Sequence, residues 1–257
     1  MKISVITVTF NALAGLRQTI SSVIRQTGTD FEFIVVDGAS KDGTQEYLEH
    51  EATGIDKWVS EPDHGIYEAM NKGVRLACGD YCIFMNAGDR FISHRVLERV
   101  SKFLGKADII LGNAVHVDEK NAVVGYTPSH NAYSLKNLLT SSTCHQATFI
   151  RRSLLLEHPY DESLRLVSDW KFIVERYLEG LCTFKEINVD VCYFQRGGAT
   201  DTYQETGRAE RNSVLIRFPE YEGVWSQPYS PSLFYKFFNK SREICAHLRY
   251  CRLLERR

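Results

Sequence analysis

Short apolar runs alternate with amphipathic stretches over the first ninety residues, and no other feature of the chain constrains its fold as tightly. "ISVITVTF" (Ile3 to Phe10) is β-branched and has no polar face, the pattern of a strand buried on both sides. After Asn11, expected to cap a helix, Leu13, Leu16, Ile20, Val23 and Ile24 recur at helical spacing. "FEFIVVDGAS" repeats the strand pattern, stops at Asp37-Gly38, and passes through the turn "SKDGT" into a helix containing Tyr47 and Leu48. "WVSEPDHG" is a short strand running into a loop. Ile66, Ala69, Met70, Val74 and Ala77 then form a helical stripe with Gly79 at the expected C-cap, and Tyr81 to Asn86 is the next strand. Such a β-α-β-α-β-α-β order predicts an α/β fold with a Rossmann-like, doubly wound, mostly parallel sheet, and these sheets bind ligands beyond the carboxyl ends of their strands. Polar residues gather at those ends: Thr9 and Asn11, Asp37, Asp63, then Asn86 and Asp89 in "NAGD".

The second half is more mixed. A helix is expected from near Ser93 ("SHRVLERVSKFLG"), strands at "ADIILGN", "AVVGY" and "QATFIRR", and a short helix at "SLKNLL". Ser168 is expected to cap the helix "SDWKFIVERYLEG", which ends at Gly180, before "CTFKEINVDVCYFQRGG" returns as strand. The 257 residues divide into a ligand-binding half (1–112), a second half of the same domain (113–224), and a linker with a basic tail (225–257). From Ser232 to Arg257 seven Lys or Arg face two acids, so a +5 tail offsets −6 elsewhere in a chain of net charge −1. That balance argues against a surface built for nucleic acid. Seven cysteines without a C-x-x-C pair predict reduced thiols in a cytoplasmic protein. The N-terminus lacks the features of a secretory signal, and no apolar run reaches the length of a membrane span.

The strand ends are acidic, not glycine-rich. There is no G-x-G-x-x-G after the first strand, no P-loop and no G-x-S-x-G elbow, which removes the main support for dinucleotide oxidoreductases, P-loop NTPases and α/β-hydrolases. Carboxylates at strand ends suit hydrogen bonds to a base and ribose, or a divalent cation.

In their order and placement, "SVITVTFN", "IVVDGASKDGT", "SEPDHGIYEAMNKG", "FMNAGD", "HQATFIRR", "SDW" and "RGG" resemble the successive motifs of family 2 glycosyltransferases, inverting enzymes of the glycosyltransferase A fold. The likeness covers about residues 2 to 200 and is strongest to bacterial enzymes of exopolysaccharide and lipopolysaccharide assembly. It implies a nucleotide-sugar donor, usually a UDP-sugar, and a lipid-linked saccharide acceptor. Thr9, Asn11, Asp37, Asp63, Lys72 and Asn86 would serve the nucleotide. "NAGD" stands in place of the metal-binding D-x-D, leaving Asp89 as its one carboxylate for Mg²⁺ or Mn²⁺. Metal affinity without the nucleotide is therefore expected to be weak.

Asp169 is the expected catalytic base. The first turn of a helix favours its ionised form, although compensation of the helix dipole is the commoner role of such a residue judged by position alone. His145 and Gln146 are candidates for the acceptor or diphosphate, against the commoner fate of an interior histidine; Arg196 is either a phosphate contact or part of a strand-end turn. Phe234, Phe237, Ile244, Leu248 and Cys251 give the tail a basic amphipathic pattern. That pattern fits either the anionic inner face of the plasma membrane, where the protein would be peripheral, or a protein surface. Two other readings fit the same acidic strand ends: a sugar nucleotidyltransferase and a non-catalytic nucleotide-sugar-binding partner.

Overall fold

A computed structural model describes residues 1–129, 135–140 and 144–225; the basic tail lies outside them. In chain order the first half runs β1 (Ile3–Thr9), α1 (Leu13–Val23), β2 (Phe31–Asp37), α2 (Thr44–His50), β3 (Lys57–Ser60), α3 (Ile66–Leu76), β4 (Tyr81–Phe84), β5 (Arg90–Phe91) and α4 (Val96–Ser101). It continues through β6 (Ile109–Val117), β7 (Val123–Thr127), α5 (Leu135–Thr140), β8 (Thr148–Arg151), α6 (Arg152–Glu157), α7 (Ser168–Glu179) and β9 (Phe184–Gln195). Three helices follow: α8 (Ala199–Thr202), α9 (Gln204–Leu215) and α10 (Glu222–Trp225).

One sheet runs in the order β3-β2-β1-β4-β8-β6-β9-β5, with β7 paired to the far end of β6. It crosses the expected 112/113 boundary without a break, because β6 spans it. β3, β2, β1 and β4 are parallel, each returned to the same end by a helix. Beyond β4 the expectation of a mostly parallel sheet is corrected. β8 is antiparallel to β4 and to β6, β7 is antiparallel to β6, and β5 is antiparallel to β9, while β6 and β9 run parallel. Strand direction there is set by the edge on which the chain docks, which residue periodicity does not encode.

The first strand is buried on both faces, as its sequence predicts. Ile3 and Val5 face α1 through Leu16, Ile20 and Val23, whereas Ile6 and Val8 face α3 through Met70 and Val74. The helix α3 lies so close to β1 that a Cβ at Gly73 would clash with Cγ2 of Ile6. At the opposite end from the polar strand termini, buried Glu32 ties β1, β2 and the start of β4 together. It accepts from Ser4 Oγ at 2.6 Å and from the Gly79 N–H at 2.9 Å, with Lys57 at 3.7 Å.

Several local boundaries differ from expectation. Ala12 is the N-cap of α1, because Asn11 sits in the left-handed region at φ 48° and turns the chain instead. Helix α3 stops at Ala77; Gly79 is required by close approach, since a Cβ there would meet Ser4 Oγ at 2.6 Å. Helix α4 starts at Val96 and Ser168 is the first residue of α7, after Val167. Gly180 closes α7 in the left-handed conformation at φ 66°, as predicted.

Candidate active site

The strand directions assemble the site. The carboxyl end of β4 carries NAGD, and antiparallel β8 begins where β4 ends, which brings His145 and Gln146 to the same edge. β6 and β9 run with β4, so Gln195 and Arg196 at the end of β9 arrive there too. The cleft above this edge encloses about 1650 Å³, whereas a pocket for one small ligand takes roughly 300–1,000 Å³. A donor and an acceptor therefore fit together.

The NAGD turn is clamped from α1. Thr19 Oγ1 accepts the Gly88 N–H at 3.0 Å and donates to the Asp89 carbonyl at 2.6 Å. Gly88 has φ 103°, a conformation that disfavours any side chain, which accounts for glycine where the family resemblance leads one to expect an acid. Asp89 points inward and is 4% exposed. Its Oδ1 accepts the Gln195 N–H at 2.8 Å and its Oδ2 accepts from Gln146 Nε2 at 3.0 Å. Burial pushes its carboxyl up to about 6.

A chain of hydrogen bonds crosses the cleft floor. Tyr67 OH donates to Asp169 Oδ1 at 2.7 Å, and His145 Nδ1 lies 2.8 Å from Asp169 Oδ2. Burial opposes ionisation of Asp169, but the hydrogen bond and charge of His145, followed by the Tyr67 hydroxyl, outweigh it and hold the carboxyl below its ordinary value. The reciprocal effect acts on His145: burial lowers its pKa, Asp169 overrides that, and the net direction is upward. In the neutral ring with Asp169 ionised, Nδ1 carries the proton, and the other nitrogen, Nε2, stands 3.1 Å from Asn86 Nδ2 and accepts from it. That contact occupies the nitrogen of the Asn86 amide and leaves its buried Oδ1 without a partner.

Among the described residues no three His, Cys, Asp or Glu gather as a metal cluster. The vacant Asn86 oxygen, with the Asp89 carboxylate behind it, fits a cation delivered with a diphosphate; one held by protein ligands alone would need more of them.

Asn86, Asp89, His145, Gln146, Asp169 and Arg196 all line the cleft, as six of the residues singled out in the sequence. Thr9, Asn11, Asp37, Asp63 and Lys72 do not line it; they lie in and around the carboxyl ends of β1, β2 and β3 and the start of α3. Asp37 is fully buried, its carboxylate bonded to the Ser40 N–H at 3.1 Å and Ser60 Oγ at 2.6 Å. Asn11 bridges to the same loop, its N–H donating to Ser40 Oγ at 2.7 Å and its Oδ1 accepting the Lys41 N–H at 2.8 Å. Lys72 is held by Glu61, Glu68 and the Pro62 carbonyl. Asp63 leans over Gly38, where a Cβ would meet its Oδ2 at 2.6 Å, and burial raises its pKa. The Thr9 hydroxyl is buried and unpartnered.

At the far side Arg196 pairs with Asp201 at 2.5 Å, and its charge, after burial, drives His116 down to about 4. Three kinds of cleft residue escape sequence reasoning. Tyr67 carries a hydroxyl on an amphipathic helix but lies off the stripe read there. Phe10, 64% exposed, ends the first strand, and Tyr203, 59% exposed, follows the last strand in a stretch without a distinctive motif. The arginines of α9 lie in the same stretch.

A family model described as "Glycosyl transferase family 2" matches residues 4–158. A PGL/p-HBAD biosynthesis glycosyltransferase of Mycobacterium tuberculosis is 32% identical over 208 residues, 77% of this chain and 79% of its own. An uncharacterized glycosyltransferase of the same species is 34% identical over 207 residues, 76% of each chain. Among solved structures, S. aureus TarS 1-349 in complex with UDP superposes with a TM-score of 0.63 at 20% identity, covering 86% of this chain and 72% of that one. The mannosyltransferase PcManGT from Pyrobaculum calidifontis, in complex with GDP-Man and Mn²⁺, gives 0.62 at 17% identity, covering 87% and 68%. At such identities the structural likeness establishes the shared fold.

Proposed function

The chain belongs to glycosyl transferase family 2 and is a glycosyltransferase; from that premise we propose that it moves a sugar from a nucleoside-diphosphate donor, a UDP-sugar, to a hydroxyl of a lipid-linked saccharide, with inversion. The observation that carries this reading is Asp169, kept ionised by Tyr67 and His145 on the floor of a cleft whose other wall is the NAGD turn.

The nucleotide occupies the β1 end. Phe10 offers an exposed ring for the base. Asp63 and the unpartnered Thr9 hydroxyl supply polar contacts, while Asp37, Asn11 and Lys72 hold the surrounding loops in place. The diphosphate lies toward Asn86, with Gln146 and Arg196 beyond it. Asn86 Oδ1 and the charge of Asp89 would hold Mg²⁺ or Mn²⁺, whose chemistry when bound is neutralisation of diphosphate charge.

The acceptor hydroxyl meets Asp169. The carboxylate takes the proton as the oxygen attacks the anomeric carbon; the bond to the diphosphate breaks on the opposite face, and the diphosphate leaves with the electron pair. One in-line displacement inverts the centre. His145 and Tyr67 position the carboxylate. Among the described residues no helix is long and apolar enough to cross a membrane; in this reading the protein works at the cytoplasmic face of the membrane, with the tail as its contact.

The test is a screen of UDP-, GDP- and dTDP-sugars with Mn²⁺ or Mg²⁺ and a bacterial lipid extract, detecting free nucleoside diphosphate. Diphosphate release that falls by about 10²–10⁴ in Asp169→Asn, with UDP affinity retained, supports the reading. Equal release by the variant refutes Asp169 as the base, and binding without release from any donor refutes the transferase reading.

A further inference from the structure

One wall of the cleft is built from a face of α9 and the segment leading into α7. Charge is segregated around α9: Arg208 and Arg211, one turn apart, both line the cleft, whereas Glu205 and Glu210 do not. Glu210 is engaged elsewhere, accepting the backbone N–H groups of Arg165 at 2.8 Å and Leu166 at 2.9 Å. Gly207 adds to this join, since a Cβ there would touch the Leu166 side chain at 3.7 Å. Segment 165–166 is thereby lashed to α9, and a third guanidinium, that of Arg165, stands on the same wall.

Arg211 stacks on the Trp170 indole at 4.2 Å, and Trp170 directly follows Asp169, so the basic wall begins one residue from the proposed base. Among the described residues, Arg165 and Arg208 have no carboxylate partner. Two acids of the cleft are already engaged with other partners: Asp169 with Tyr67 and His145, Asp201 with Arg196. Guanidinium groups bind tetrahedral phosphate through paired charge-assisted hydrogen bonds, and three together match a dianion better than a single carboxylate.

We propose that Arg165, Arg208 and Arg211 form a phosphate-binding wall that receives a phosphate group carried by the acceptor, separate from the diphosphate of the donor. This rests on the transferase reading of the same cleft. It makes the acceptor a phosphorylated saccharide whose reacting hydroxyl reaches Asp169 while its phosphate lies beyond Trp170.

The probe is α-glucose 1-phosphate, titrated calorimetrically into the full chain saturated with UDP, with methyl α-glucoside as the neutral control. Arg165→Gln and Arg208→Gln alter exposed side chains, and their thermal unfolding reports that the fold is intact. The expected result is binding of the sugar phosphate but not the neutral sugar, weakened about tenfold by each substitution, with UDP affinity unchanged. Equal affinity for the two probes overturns the proposal. So does a parallel loss of UDP affinity in the variants, which would assign the arginines to the donor. Binding to phosphatidylglycerol vesicles without binding to the sugar phosphate overturns it as well, and would make the wall a membrane contact. If UDP itself does not bind, the donor reading fails separately, and the same titration without UDP still decides the role of the wall.

Discussion

Burial by itself would raise the pKa of Asp169, and two neighbours reverse that. Removing His145 takes away the largest of the opposing influences, so in His145→Ala the pKa of Asp169 should rise. A base must be ionised to act, so the acidic limb of the kcat/KM profile should move to higher pH; Tyr67→Phe should move it the same way by less. pH–rate profiles of the three proteins check the order. Asn86 supports a second expectation. It offers one neutral oxygen and Asp89 is buried with both carboxylate oxygens bonded, so electron paramagnetic resonance should detect no Mn²⁺ bound to the protein without nucleotide, whereas with UDP present Asn86→Asp should hold Mn²⁺ more tightly than the unaltered protein.

At the scale of elements, the contact between α3 and β1 has no slack. Gly73→Ala would drive a methyl group against Ile6 and should destabilise the protein by about 1–3 kcal/mol, measured by urea unfolding. This pairing lies in the part of the fold that was legible beforehand. β1, β2 and β4 are buried on both faces, β3 is a short edge strand, and the intervening helices pack on them, so order and direction follow together. Beyond β4 the strands β6 to β9 were legible but not their directions, nor the two-residue β5, because β8 is four residues long and nothing in "TFIR" distinguishes a parallel from an antiparallel neighbour. The site divides in the same way. Asp169, His145 and Asn86 stood out as polar residues at element ends, yet their contact depends on β8 reversing at the edge of β4. Tyr67 stayed hidden because it lies off the stripe read on its amphipathic helix.

Over the whole molecule, the carboxylates set the acid limit of stability. Asp161, held chiefly by Lys171, and Glu68, held chiefly by the His64 N–H and then Lys72, are lowered to about 2, and Glu32, Asp108 and Asp169 are also lowered. A carboxylate depressed in the folded state contributes stability above its unfolded value near 4, and that contribution is lost as pH falls through the folded value. Thermal unfolding should therefore occur at progressively lower temperature as pH is reduced from about 5 to about 2. The raised carboxyls, Asp89 and Asp63, act in the opposite sense and soften the upper part of that decline. The topology of β9 has a consequence for how such proteins diversify. β9 comes late in the chain but lies between β6 and β5, and β5 belongs to the first half. The two halves therefore cannot be exchanged between relatives as cassettes, since a crossover near residue 112 would require one parent's strand to fit between two of the other's. New acceptor preferences are more accessible to point changes on the cleft wall and to loop grafts than to recombination of whole segments, and a library built on this scaffold should be partitioned accordingly.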